Sequence, residues 1–307
     1  MNSLPSHTPP WEDIFFTSHD GLKLYARHYP APGSRKKPVL CLAGLTRNSR
    51  DFHSLAMTLS QGAHARAVYT LDYRGRGCSE YDPNWKNYVI ATEMLDVQDL
   101  MILAGLHGAA IVATSRGGLI AMLLAAAQPT AVGAVVLNDI GPVIERAGLI
   151  RIAGYVGRTP LPASWQQATE VVATMNRRAF PAVLDAEWEE VARQWFNEED
   201  GRPAAGYDPK LSKSFAVKDG PPDLWPQFTA LSHAPLLVVR GETSDLLSPA
   251  TVHQMCARHP NCTAVTVPGQ GHAPLLKDAP SMAIIAHFLG EVDAGRPVAG
   301  KDLSRAA

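Results

Sequence analysis

The stretch of this sequence with the most chemistry in it is Ile111-Val-Ala-Thr-Ser115-Arg-Gly-Gly118-Leu-Ile-Ala-Met-Leu, a strand-like apolar run that passes into a helical one with a serine at the junction. A serine on so sharp a turn tolerates only small neighbours two residues away on either side, and Ala113 and Gly117 stand there. The run departs from G-x-S-x-G at its first glycine, where alanine still meets the steric requirement. On these residues alone Ser115 is either a nucleophile or a helix cap. A nucleophilic serine needs a base, because a hydroxyl is almost wholly protonated at neutral pH. Among the eleven histidines, His272 stands out: Val267-Pro-Gly-Gln-Gly-His272-Ala-Pro puts it on a glycine-rich loop after the last expected strand, at the sheet edge where Ser115 emerges. His253, His259 and His287 fall within or at the ends of helices, His19 lies in a hairpin turn, and His107 precedes a strand at the opposite edge. The base in turn needs a carboxylate to fix its tautomer and stabilise its protonated form. Asp245, in the turn Val239-Arg-Gly-Glu-Thr-Ser-Asp245, is the foremost candidate. Glu242 of the same turn and Asp139, which closes Leu137-Asn-Asp139-Ile-Gly-Pro, compete with it.

Those turns require a particular scaffold. Short apolar runs at 39–43, 67–72, 109–114, 134–138, 236–240 and 264–267 read as strands covered on both faces. Helical stretches at 51–60, 88–105, 117–128, 249–259 and 280–292 alternate with them, which implies parallel crossovers and an α/β fold. Residues 12–30 form two strand-like runs joined at His19-Asp20-Gly21, an antiparallel opening hairpin. Between 141 and 229 the parallel-strand rhythm lapses, and four of the six tryptophans (Trp165, Trp188, Trp195 and Trp225) fall there. This interval is expected to be a helical cap over the carboxyl ends of the strands, where open α/β sheets bind ligands. The expected organisation is a core of 1–140 and 230–292, a cap at 141–229 whose four tryptophans are candidates for the pocket lining, and a flexible tail at 293–307.

Composition narrows the function classes. Lys and Arg number 28 against 29 Asp and Glu, so no overall charge favours nucleic acid or an anionic membrane. Hydrophobic residues make up 46% and charged residues 19%, below the roughly 25% of an average domain, which favours a large apolar interior over disorder. The amino-terminal residues lack the basic-then-apolar pattern of a secretory signal, and no segment has the uncharged length of a membrane span, so a soluble cytoplasmic protein is expected. Cys41, Cys78, Cys256 and Cys262 show no metal spacing and fit a reduced compartment; Cys256 and Cys262 flank a helix-to-strand connection that needs no disulfide. No phosphate-binding glycine loop, dinucleotide fingerprint or zinc motif occurs, so neither cofactor nor metal is implied.

Taken in order, the Ser115, Asp245 and His272 turns resemble those of α/β-hydrolase fold enzymes of the cap-bearing group that includes carboxylesterases, enol-lactonases and carbon–carbon bond hydrolases. Two further segments share the resemblance: Leu42-Ala-Gly-Leu45-Thr-Arg-Asn-Ser is similar to that family's oxyanion loop, and Leu71-Asp72-Tyr-Arg74-Gly75-Arg-Gly77-Cys-Ser79 to its D-x-R-G-x-G-x-S turn. The resemblance covers residues 12–290. It implies that the backbone N–H groups of Leu45 and Arg116 form an oxyanion hole. Ala43 stands where the family usually has histidine, and no H-G-G-G run is present, which sets the chain apart from lipases with a glycine-rich hole. The implied activity is a cofactor-independent serine hydrolase acting on a small-molecule ester or lactone. Carbon–carbon bond cleavage on the same residues, or ligand binding without turnover, are the alternatives. A serine in this turn argues against haloalkane dehalogenase and epoxide hydrolase chemistry, where aspartate occupies it. Arg47 and Arg50, beside the oxyanion loop, are candidates for recognising an acidic substrate or are simply solvated. Sequence does not indicate an oligomeric state.

Overall fold

The computed structural model describes residues 9–214 and 223–301. Its strands, in chain order, are β1 Glu12–Thr17, β2 Lys23–Tyr29, β3 Val39–Leu42, β4 Val68–Asp72, β5 Ala109–Thr114, β6 Val132–Asn138, β7 Asn197–Glu199, β8 Arg202–Ala204, β9 Leu236–Gly241 and β10 Cys262–Val267. The helices are α1 His53–Ser60, α2 Ile90–Leu103, α3 Arg116–Ala127, α4 Arg146–Tyr155, α5 Trp165–Asn176, α6 Trp188–Trp195, α7 Leu211–Ser214, α8 Trp225–Thr229, α9 Pro249–Arg258 and α10 Ala279–Asp293. Eight strands form one sheet in the order β1-β2-β4-β3-β5-β6-β9-β10. The β1–β2 and β2–β4 pairs are antiparallel and every other pair in that sheet is parallel. Hairpin β1–β2 turns through Gly21 at φ +92°, with the Ser18 and Leu22 backbones closing it.

The central strands are apolar along their whole length because helices cover both faces. All four residues of β3 and all six of β9 are buried, as are the first five of β5. The tightest packing lies where α3 meets the sheet. A Cβ on Gly117 would stand 2.3 Å from the Leu42 carbonyl oxygen, and one on Gly118 would stand 2.2 Å from the Ile140 side chain. The residue two positions after Ser115 is therefore glycine because β3 runs directly beneath it. Asp72, at the end of β4, is buried and ties the following turn together: its Oδ1 accepts from the Ser49 amide at 2.6 Å and its Oδ2 from the Cys78 amide at 2.8 Å. Gly77, at φ +55°, leaves no room for a side chain against that carboxylate.

Between β6 and β9 the chain leaves the sheet. Helices α5 and α6 bury a second, smaller core of Ala168, Val172, Phe180, Trp188, Val191 and Ala192. The interval also holds the short antiparallel pair β7–β8, which the helical reading of 141–229 did not foresee. Arg50 latches this layer to the sheet: its guanidinium donates to the Gln194 and Phe196 carbonyls and to the Asn197 side chain. Its Nε and Nη2 are thereby engaged within the protein, in a structural contact between the two layers. Residues expected as a tail are fastened as far as 301, with Val298 buried and Thr263 donating to the Lys301 carbonyl at 2.7 Å; 302–307 lie outside the described residues. The Cys256 and Cys262 sulfurs are 3.3 Å apart and unbridged.

Gly117→Ala is expected to destabilise the fold by about 1–3 kcal/mol, because the added methyl meets strand backbone that has no freedom to yield. Gly154→Ala, in α4 with nothing within 4 Å of the new Cβ, is expected to be neutral or stabilising by up to about 1 kcal/mol. Thermal melts of the two variants beside the parent check this pair; equal melting temperatures would remove the steric account.

Candidate active site

Ser115 sits between β5 and α3 with φ +51° and ψ −114°, a backbone conformation that costs an L-residue of order 1–3 kcal/mol and persists only where the surroundings impose it. Its amide donates to the Asn138 carbonyl at 3.0 Å and its carbonyl accepts from Gly118, so both ends of the turn are fixed. The side chain thereby projects from the carboxyl end of the sheet, where its Oγ lies 2.8 Å from Nε2 of His272. Nδ1 of that ring lies 2.8 Å from Oδ2 of Asp139. A carboxylate only accepts, so Nδ1 carries the proton, and Nε2 is left to accept from the serine hydroxyl.

The carboxylate is not the one foremost in the sequence. Asp245 faces away into a bidentate pair with Arg151 of α4, at 2.6 and 2.8 Å, and this pairing holds its carboxyl below the usual carboxylate range. Glu242 accepts instead from the Gly269 amide at 2.8 Å. Asp139 is fully buried at the end of β6, with its own backbone at φ +55°. Its Oδ1 accepts from the Gly241 amide at 2.8 Å, and its Oδ2 from the Ser244 hydroxyl at 2.6 Å besides the imidazole. The last amide of β9 and a hydroxyl in the turn after it thus orient this carboxylate, which itself comes from the end of the neighbouring strand β6.

The two amides expected to bind an oxyanion, those of Leu45 and Arg116, flank the serine, and neither joins any turn or cap hydrogen bond found among the described residues. Gly44, beside Leu45, packs so that a Cβ there would be 3.8 Å from that of Ser115. A buried charge cluster below the serine connects the two segments. Glu93 of α2, wholly inaccessible, accepts from Nε of Arg116 at 2.5 Å and pairs with Nη1 of Arg76 at 2.7 Å. Arg76 also donates from Nε to the Leu45 carbonyl at 2.9 Å. Burial would raise the Glu93 carboxyl, but the two guanidiniums outweigh it and hold the group ionised, below its ordinary range.

The alpha/beta hydrolase family model matches residues 39–286, more than half of the sequence. The chain belongs to that family. The 3-hydroxybutyrate-oligomer hydrolase of Cupriavidus necator is 32% identical to this hydrolase over 280 residues, spanning 87% of this chain and 93% of the relative. The 2-(acetamidomethylene)succinate hydrolase of Mesorhizobium japonicum is 28% identical over 236 residues, 76% of this chain and 81% of the relative. The crystal structure of an alpha/beta hydrolase from Novosphingobium aromaticivorans superposes with a TM-score of 0.85 at 39% identity, covering 92% of this chain and 99% of that one.

In this alpha/beta hydrolase the serine opens into a cavity roofed by the layer between β6 and β9. Two of the four tryptophans, Trp188 and Trp195, line it. Trp165 packs instead with α5 and α6, beneath the Arg193 guanidinium. Trp225 lies against Phe228 and Arg258 on the core side, away from the cavity. These two were expected as candidate lining residues from their place in the interval alone; their packing assigns them to structure. Arg47, weighed from the sequence as a contact for an acidic substrate, also lines the cavity, as do Arg151 and Tyr155, which the sequence did not single out. Among the described residues, no helix is long and apolar enough to cross a membrane.

Glu93→Ala would leave Arg76 and Arg116 buried without their shared counter-charge and is expected to cost about 3–5 kcal/mol. Because the folded carboxyl is held below its unfolded value, its stabilisation is present above the ordinary glutamate range and lost as pH falls through the folded value. The gap between parent and variant should therefore narrow on acidification. Urea unfolding at neutral pH and near pH 4 measures both; a neutral-pH loss below about 1 kcal/mol would contradict the clamp.

Proposed function

We propose that this hydrolase cleaves a carboxylic ester or lactone through an acyl-enzyme on Ser115. The observation that carries the reading is the unbroken chain from Ser115 Oγ to His272 Nε2 and from His272 Nδ1 to Asp139 Oδ2, each link 2.8 Å. His272 removes the serine proton as Oγ attacks the carbonyl carbon. The oxyanion that results is received by the Leu45 and Arg116 amides, the second at the amino end of α3, where the helix dipole favours negative charge. His272 then passes its proton to the departing alcohol oxygen, and water repeats the attack on the acyl-enzyme with the same histidine as base. Asp139 keeps the imidazole in the required tautomer throughout. Asp245 has a different task in this scheme: through Arg151 it ties the first helix of the roofing layer to the turn after β9.

Relatives add support at the level of substrate. The Cupriavidus necator protein is named for hydrolysis of 3-hydroxybutyrate oligomers, which are chains of ester bonds. A short polyester or a related small ester is accordingly the substrate class we assign, bound beneath Trp188 and Trp195.

Ser115→Ala is expected to lower ester turnover by about 10³-fold or more, with residual rate left by the amides. Asp139→Asn is expected to cost about 10⁴-fold through the wrong tautomer, whereas Asp245→Asn should cost roughly tenfold or less. Steady-state kinetics of the three variants on a chromogenic ester decide the assignment. A larger loss from Asp245→Asn than from Asp139→Asn would return the acid to the turn after β9.

A further inference from the structure

Arg47 follows the loop that bears Leu45 and lines the same cavity as Ser115. Its guanidinium is committed on one edge only. Nε donates to Asp51 Oδ2 at 2.7 Å and Nη2 to the other oxygen of the same carboxylate, while the plane of the group lies over the Trp195 ring with 4.2 Å to its centroid. Nη1 is buried and has no hydrogen-bond partner among the described residues. A buried charged donor left unpaired is costly, and protein interiors rarely keep one without a use.

The surroundings of this edge indicate what would satisfy it. Arg151 lines the same cavity, held by Asp245, and Tyr155 lies against it. Burial pushes the Tyr155 hydroxyl up, against the pull of Arg151 and Arg47, so it stays protonated and able to donate. The acidic groups nearest these arginines, Asp51 and Asp245, are each consumed in bidentate pairs. The cavity wall is therefore rich in donors, and the carboxylates nearest its arginines are already used. A planar guanidinium edge with its orientation fixed by an ion pair and by an aromatic face suits an anionic oxygen pair better than a neutral carbonyl, because the charge-assisted bond is roughly twice as strong.

We propose that the cavity selects esters bearing a free carboxylate, with the incompletely paired Arg47 guanidinium as the anchoring group and Tyr155 and Arg151 contributing from the same wall. Arg47 is a specificity residue in this scheme and takes no part in proton transfer. The inference rests on the serine hydrolase reading for its substrate but not for its binding step.

The test uses two matched linear hydroxyacid oligoesters, one ending in a free carboxylate and the other capped there as the primary amide. The native enzyme is expected to show kcat/KM at least about tenfold higher for the acid, the discrimination expected of one charge-assisted bond. Arg47→Gln, which keeps a donor for Asp51, should reduce that ratio to near one, chiefly through KM. A native ratio near one, or a ratio unchanged in Arg47→Gln, overturns the proposal. A second measurement does not depend on turnover or on the folding of an Arg47 variant: calorimetric titration of Ser115→Ala protein with a hydroxyacid and with its primary amide. Binding of the acid at least about tenfold more tightly supports the carboxylate site, and equal binding removes it. If the native protein cleaves neither ester while Ser115→Ala protein still prefers the acid, the hydrolase reading falls and the carboxylate site stands.

Discussion

Everything at this site hangs on one strained backbone position. Ser115 is held at φ +51° at the point where β5 becomes α3, and no local preference of serine favours that conformation. What imposes it is close packing: α3 is drawn so near β3 that residue 117 must be glycine, and the Asn138 carbonyl of β6 pins the serine amide from the other side. A turn this tight aims the hydroxyl out of the sheet instead of along it. It also leaves the first amides of α3 without helical partners, so that an outward-facing serine hydroxyl and a helix end of the kind that favours negative charge are formed by the same few residues.

A second constraint acts on charge. Glu93, Arg76 and Arg116 form a buried cluster in which one carboxylate serves two guanidiniums, and through Arg76 the cluster reaches the Leu45 carbonyl. A cluster like this is poor value as a source of stability compared with apolar packing, since desolvation consumes most of the Coulombic gain. Its effect is to hold the segment bearing Leu45 and the start of α3 in one mutual arrangement. Asp139 is set by the same kind of cross-strand economy, its carboxylate filled by an amide from β9, a hydroxyl from the following turn and the imbedded edge of the imidazole.

Most of the fold was legible because strands buried on both faces leave long apolar runs. The expected strand at 109–114 coincides with β5, and the helices after β3, β4, β5, β9 and β10 fall within two residues of their expected positions at both ends. The turns that carry Ser115 and His272 were legible from the glycines around them. Which carboxylate meets the imidazole was less so. Chain order requires only that the carboxylate lie between the serine and the histidine, and both Asp139 and Asp245 meet that condition. What separates them is which strand end reaches the imidazole, and that depends on the left-handed backbone of Asp139 and on an arginine 94 residues before Asp245 in the sequence that draws Asp245 away. The tryptophans show the same limit. Helical spacing locates Trp165 and Trp225 in the right interval, but only the packing of α5 against α6 and of α8 against the core tells which faces turn from the cavity.

The central claim is that Ser115 is the one nucleophile activated by this architecture. Treating the native protein with a fluorophosphonate and mapping the adduct by peptide mass spectrometry tests it without knowledge of the substrate. The account predicts a single stoichiometric adduct on Ser115, formed by attack of its deprotonated oxygen on phosphorus with loss of fluoride. No adduct, or an adduct on any other residue, would contradict it.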